Sequence, residues 1–144
     1  MKVAVIGDIH GTTKFLECYK NIQETDSDVE KIIVLGDWFD PYVDIDFDTM
    51  IDRYNEFVKI WKSDDRIISI LGNHDLAGYI ISNDSTNRTL RFGKMRKQLR
   101  EVIEPNLPES YLTYKIGDYM FSHAGVSQEW LNDINQYQEH NYMN

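Results

Sequence analysis

Asp8 and His10 stand two positions apart in Gly7-Asp8-Ile9-His10-Gly11, directly after the apolar run Lys2 to Ile6. A carboxylate and an imidazole at that spacing offer a hard oxygen and a borderline nitrogen, donor types that divalent cations take from proteins. The arrangement recurs. Lys31 to Leu35 runs into Gly36-Asp37-Trp38-Phe39-Asp40, and Arg66 to Leu71 runs into Gly72-Asn73-His74-Asp75. A later stretch, Asp118 to Phe121, leads into Ser122-His123-Ala124-Gly125. Side chains at the carboxyl ends of neighbouring parallel strands meet at one edge of a sheet, so Asp8, His10, Asp37, Asn73 and His123 are expected to share a site. The chemistry that needs such a set is phosphate-ester hydrolysis. Two divalent ions about 3.5–4 Å apart, one carboxylate bridging them, sharpen a water molecule and clamp the phosphoryl oxygens.

The elements that must position these residues follow from periodicity. The three apolar runs before the glycines are nearly continuous, as in a parallel sheet buried on both faces. Thr12 or Thr13 is placed to cap a helix over Lys14 to Ile22, with Phe15, Leu16, Cys18, Tyr19 and Ile22 at helical spacing. Glu24 to Glu30 reads as a loop. From Asp44 to Asp48 carboxylates alternate with Ile45 and Phe47, but a calcium loop would need Gly where Thr49 stands and Glu where Asn55 stands. The stretch therefore reads as a solvated loop whose Asp48 caps a helix over Thr49 to Lys62, with Met50, Ile51, Tyr54, Phe57, Val58 and Trp61 as its buried stripe. The result is a βαβαβ unit.

Beyond it, Ala77 to Asn87 lacks a pattern and reads as a loop. Leu90 to Ile103 reads as a basic helix carrying Arg91, Lys94, Arg96, Lys97 and Arg100, ended by Pro105 and Pro108. Ser110 to Tyr114 and Asp118 to Phe121 read as a hairpin turned through Ile116-Gly117-Asp118, and Gln128 to Tyr137 as a last helix. Trp38, Phe39 and Tyr42 either pack or recognise a ring.

Composition narrows the class. A chain of 144 residues with 42% hydrophobic residues is expected to be one folded domain. Its 15 Lys and Arg against 24 Asp and Glu, a formal charge of −9, argue against extended nucleic-acid binding but not against small phosphate esters. The apolar stretch before Gly7 is too short for a secretory leader, and no run reaches the length of a membrane span. One cysteine, Cys18, forms no internal disulfide and fits a core position. A cytoplasmic protein is expected.

Gly-Asp-Ile-His-Gly, Gly-Asp-x-x-Asp, Gly-Asn-His-Asp and His-Ala-Gly, in this order over residues 3–127, resemble the calcineurin-like metallophosphoesterase superfamily. The resemblance implies an α/β fold with central mixed β-sheets flanked by helices. It implies that Asp8 and His10 ligate a first metal, Asp37 bridges, and Asn73 and His123 ligate a second. His74 would protonate the leaving oxygen or steady the transition state, and Asp75 would orient His74. Mn2+ or Mg2+ suits these donors, with Fe or Zn compatible. The His-Ala-Gly form is similar to the branch of bacterial and phage serine/threonine protein phosphatases and symmetrical dinucleoside tetraphosphate hydrolases. A phosphomonoester, a dinucleotide or a phosphoprotein is the implied substrate.

Two departures from the family pattern stand out. Asp40-Pro41-Tyr42 replaces the usual Asp-Arg-Gly, whose arginine holds the phosphate, leaving Arg88, Arg91 or Arg96 as substitutes. A final Gly-His, normally a further imidazole for the second metal, is absent, and His140 is the only later histidine. The expectation is a fold truncated at its carboxyl end, with weaker second-metal binding and a sheet edge covered by a homo-dimer or by the tail. The alternative function is a shortened relative that binds a metal, nucleotide or protein without turnover. A nuclease is a third reading.

Overall fold

The computed structural model describes residues 1–75, 96–125 and 127–129. Strands β1 (Val3–Ile6), β2 (Lys31–Val34) and β3 (Ile67–Ser69) form a parallel sheet in the order β1-β2-β3, with Val3 beside Lys31 and Ile32 beside Ile67. The crossovers are helices α1 (Lys14–Thr25) and α2 (Phe47–Ser63). Helix α3 (Arg96–Ile103), a 3-10 segment (Glu104–Glu109) and an antiparallel hairpin of β4 (Thr113–Ile116) and β5 (Tyr119–Ser122) follow. Parallel and antiparallel sheets with packed helices make the expected α/β architecture. Among the described residues no helix is long and apolar enough to cross a membrane.

Strand alternation decides what covers each face of the parallel sheet. Ile6, Ile32, Val34 and Ile67 turn to the helices and meet Phe15 and Ile22 of α1, Met50, Phe57 and Trp61 of α2, and Leu99 and Ile103 of α3. Ile33, Ile68 and Ile70 turn the other way, onto Tyr114, Ile116 and Phe121 of the hairpin. Helices therefore lie on one face and the hairpin on the other. Cys18 is a partly buried member of the helical side, as expected of a filler.

Several boundaries differ from the sequence expectation. Helix α1 continues to Thr25, into the stretch read as a loop. Helix α2 starts at Phe47, and its cap is Asp46 instead of Asp48. The Asp46 Oδ1 accepts the Thr49 N–H at 2.8 Å, while Asp48 lies in the first turn, where its charge favours the helix dipole. The hairpin strands sit further along the chain than predicted. Tyr111 pairs in parallel with Ile70, its N–H donating to the Ser69 carbonyl and its carbonyl accepting from Leu71 N–H, so the segment before β4 extends the parallel sheet. The expected loop over 77–87, residues 90–95 of the expected basic helix, and positions 130–137 of the expected last helix lie outside the described residues.

At the end of the sheet away from the glycine loops, Asp64 follows α2 and accepts hydrogen bonds from Arg66 Nε at 2.9 Å, Arg66 Nη2 at 2.7 Å and the Tyr19 hydroxyl at 2.9 Å. The Arg66 guanidinium, ahead of opposing burial, holds the Asp64 carboxyl down to about 2. A carboxyl depressed below its unfolded value stabilises the fold above about pH 4 and loses that contribution as pH falls toward 2. The unfolding free energy of the wild type is expected to fall more steeply between pH 4 and pH 2 than that of Asp64→Asn. Urea titrations across that window measure it.

Candidate metal centre

Each of the three parallel strands ends in a glycine-containing loop, and the loops pack on one another so closely that side chains are excluded at two places. A Cβ on Gly72 would collide with the carboxylate and N–H of Asp37, and one on Gly36 with Gly72 N and the Asp75 Oδ2. Gly36 also has φ +86, open to glycine at little cost. The β1 and β2 loops are stitched by His10 N–H to the Asp37 carbonyl at 2.6 Å and Gly11 N–H to the Trp38 carbonyl at 2.7 Å.

Asp75, 2% exposed, locks the β2 loop to the β3 loop. Its Oδ2 accepts Asp37 N–H and Gly72 N–H, each at 2.8 Å, and its Oδ1 accepts Trp38 N–H at 2.8 Å. Burial pushes its carboxyl up to about 6 and the Asp37 charge adds to the rise, while the bonds from Gly72, Trp38 and Asp37 N–H pull the other way. The β2 loop is held on its other side by Trp38, stacked on Phe57 at 3.9 Å between centroids, and by Phe39, 4.9 Å from Tyr54. Trp38 and Phe39 thus belong to the core, whereas Tyr42 is exposed.

Three of the other expected ligands, Asp8, His10 and His123, lie around Asp37, and Asn73 joins them through His123. The Asp37 Oδ1 accepts the His74 N–H at 2.9 Å, which leaves Oδ2 to face two imidazoles: His10 Nε2 at 3.7 Å and His123 Nε2 at 3.2 Å. His10 Nδ1 lies 3.1 Å from the Phe39 carbonyl and 3.0 Å from the Asp40 carbonyl, and His123 Nδ1 lies 2.8 Å from the Leu35 carbonyl. A carbonyl only accepts, so both rings donate through Nδ1, which leaves Nε2 the lone-pair nitrogen of the neutral ring. His123 Nε2 is also 2.9 Å from Asn73 Oδ1. Asp8, at the exposed rim, has an oxygen within 4.8 Å of ligand atoms of His10 and Asp37.

Nitrogen and oxygen atoms able to act as ligands converge here, a donor set that fits a cation. Hard carboxylate and amide oxygens with imidazole nitrogens suit a divalent ion of the Mg2+, Mn2+, Fe or Zn type. Asp8, His10, Asp37 and Asp40 all have positive φ, between 46° and 65°. Asp and His tolerate this region better than most residues, but it is strained, and its concentration at a site is characteristic of functional loops.

His74 lies beside this cluster, its ring 5.2 Å from that of His10, edge on. Asp75 is committed to the three backbone donors, and it is Asp40 whose Oδ2 approaches His74 Nδ1, at 2.9 Å though off the line of the ring N–H. Two further residues were invisible in the sequence pattern: Lys14 Nζ donates to the Gly7 carbonyl and Arg53 Nη1 to the Gly11 carbonyl, each at 2.6 Å, bracing the β1 loop from α1 and α2. No side-chain pattern marks them, because each donates to a backbone carbonyl, Lys14 within its own loop-helix turn and Arg53 from 42 residues away. Arg88, Arg91, His140 and the side chain of Arg96 lie outside the described residues.

The family model described as calcineurin-like phosphoesterase matches residues 1–144. The chain belongs to the calcineurin-like phosphoesterase family. A search of curated proteins found no match to it. As a calcineurin-like phosphoesterase it has the fold and, in Asp8, His10 and Asp37, the metal-binding triad of a metallophosphoesterase, a hydrolase.

In this phosphoesterase the Asp75 clamp is testable apart from activity. Asp75→Ala strands three buried N–H donors, and at roughly 1–3 kcal/mol for each unmet group the loss is expected to be about 3 kcal/mol or more. Asp75→Asn keeps an acceptor oxygen and is expected to lose less. Urea unfolding at neutral pH ranks wild type, Asn and Ala variants in that order.

Proposed function

We propose that this chain is a metal-dependent phosphoesterase that hydrolyses phosphate ester or phosphoanhydride bonds using two divalent ions. The observation that carries the reading is the position of Asp37 Oδ2, shared between the Nε2 atoms of His10 and His123. Asp8 and His10 on one side, and Asn73 and His123 on the other, would each hold an ion with Asp37 between them. Bound divalent cations supply acidification of water near neutral pH and screening of the phosphoryl charge.

The chain's own residues do the rest. Asp37 is kept in place by the His74 N–H on its other oxygen, so Oδ2 has one direction to face. His74, partly exposed beside the cluster, protonates the leaving oxygen, and the Asp40 carboxylate lies 2.9 Å from its Nδ1. Asp75 serves catalysis indirectly by holding Asp37 and Gly72 in register. Mn2+ or Mg2+ matches the oxygen-rich donors. A phosphomonoester, a dinucleotide or a phosphorylated protein side chain is compatible with the −9 charge of the chain. The His-Ala-Gly motif favours the protein phosphatase and dinucleoside tetraphosphate hydrolase branch.

One observation favours a second reading, a binding module without turnover: Pro41 stands where the family's phosphate-holding arginine is usual. Metal-free protein supplied with Mn2+ and p-nitrophenyl phosphate separates the two. Release of p-nitrophenol, lowered about 100-fold or more by His74→Ala while calorimetric Mn2+ binding is kept, is the expected outcome. Calorimetry is expected to show two Mn2+ per chain in the wild type, and weakened binding at both positions in Asp37→Asn. No release above the His74→Ala background at full metal occupancy sinks the enzyme reading.

A further inference from the structure

Tyr42 is 78% exposed, yet it is not a loose surface residue. Its ring lies 4.3 Å from the His10 ring, tilted by 50°, and 6.4 Å from the His74 ring, edge on. The backbone beneath it is fixed. His10 Nδ1 grips the Phe39 and Asp40 carbonyls, Phe39 is buried against Tyr54, and the intervening Pro41 is buried with its φ set by its own ring. A large ring is thus held in water, on a rigid loop, beside both a metal-site imidazole and the imidazole that borders the leaving group. Ordering that ring on binding costs little, because its backbone is already ordered.

We propose that Tyr42 is a specificity-determining residue: a stacking platform that selects phosphate esters whose leaving group carries a planar ring, aryl or nucleobase, over esters of simple alcohols. The proposal rests on the phosphoesterase reading for the identity of the leaving side. A proton donor reaches its oxygen across about 3 Å, and aromatic rings associate at centroid separations of about 4.5–7 Å. A ring close to an oxygen held by His74 therefore comes within reach of Tyr42, 6.4 Å from His74. The phenol is neutral and planar, matched to a π-face and not to a phosphate.

The test compares wild type, Tyr42→Ala and Tyr42→Phe, all with Mn2+. Calorimetry with AMP, phenyl phosphate and inorganic phosphate reads binding without turnover. The wild type is expected to favour at least one ring-bearing ligand over inorganic phosphate by roughly tenfold, the size of one stacking contact. Tyr42→Ala is expected to abolish that preference and Tyr42→Phe to keep it. In kinetics, the kcat/KM ratio of p-nitrophenyl phosphate to glycerol 2-phosphate is expected to fall about tenfold in Tyr42→Ala, mainly through KM, and to be retained in Tyr42→Phe.

A preference confined to AMP assigns a nucleobase, and one confined to phenyl phosphate assigns an aryl group. Both support the platform. Equal binding of ring-bearing and ring-free ligands by the wild type, an unchanged preference in Tyr42→Ala, or a Tyr42→Phe variant that behaves like Tyr42→Ala overturns it. Should the wild type hydrolyse nothing, the phosphoesterase reading fails on its own, and the binding preferences still decide the platform. Tyr42 is exposed, so matching unfolding midpoints of the three proteins check that the fold is common to them.

Discussion

A single buried carboxylate, that of Asp75, sets the relative positions of the β2 and β3 loops, and the metal-site geometry depends on it. Asp37 and Trp38 N–H come from one loop and Gly72 N–H from the other, all pointing at the same two oxygens. Only an acceptor with two oxygens and no donor can satisfy three N–H groups in this way. The bonds are charge-assisted when the group is ionised, which offsets the cost of burying it. The glycines at positions 36 and 72 follow from this contact, since a side chain at either would occupy the space of the clamp or of Asp37.

The clamp also holds a strained backbone. Four site residues, Asp8, His10, Asp37 and Asp40, adopt left-handed φ values, each at a cost of about 1 kcal/mol or more. In the β2 loop that strain is opposed by burial of the residues in between. Trp38 and Phe39 are large apolar anchors packed on Phe57 and Tyr54, each worth about 1.5–3 kcal/mol of transfer from water. The order Asp-Trp-Phe-Asp thus alternates function with attachment. Two carboxylates are held at the surface of the core by the two aromatic side chains between them.

What the sequence makes legible, and what it does not, follows from the range of the interactions. Apolar runs, the helical stripes of α1 and α2, and the glycines after each strand are local patterns, and they place Asp8, His10, Asp37, Asn73 and His123 at one edge. The cap of α2 was ambiguous because Asp46 and Asp48 both precede helical positions, and only the accepted Thr49 N–H at Asp46 resolves them. Tyr111 was read into a hairpin strand because its β-like composition says nothing about its partner, which is Ile70 in a different sheet. The surroundings of Asp75 were hidden for the same reason. Proximity in sequence put Asp75 next to His74, but its carboxylate turns inward to donors 37 and 38 residues away, leaving the more distant Asp40 beside the imidazole. Backbone donors carry no residue signature, so no pattern of side chains announces them.

The two imidazoles that face Asp37 Oδ2 share a further property. Both are held from behind by main-chain carbonyls of the same segment: Leu35 for His123, and Phe39 and Asp40 for His10. That segment follows β2, the central strand, and also contains Asp37. The Asp37 carboxylate and the orientation of both rings therefore come from one stretch of backbone, although the rings belong to different elements. Such an arrangement fixes which nitrogen each ring presents before any cation arrives, because the Nδ1 proton is already committed. Binding then costs little reorganisation of the histidines, and the free energy of a bound ion is not consumed in assembling its own ligands. The same economy fits the strain seen here: a backbone bent to aim two carbonyls at His10 and one at His123 serves both positions at once.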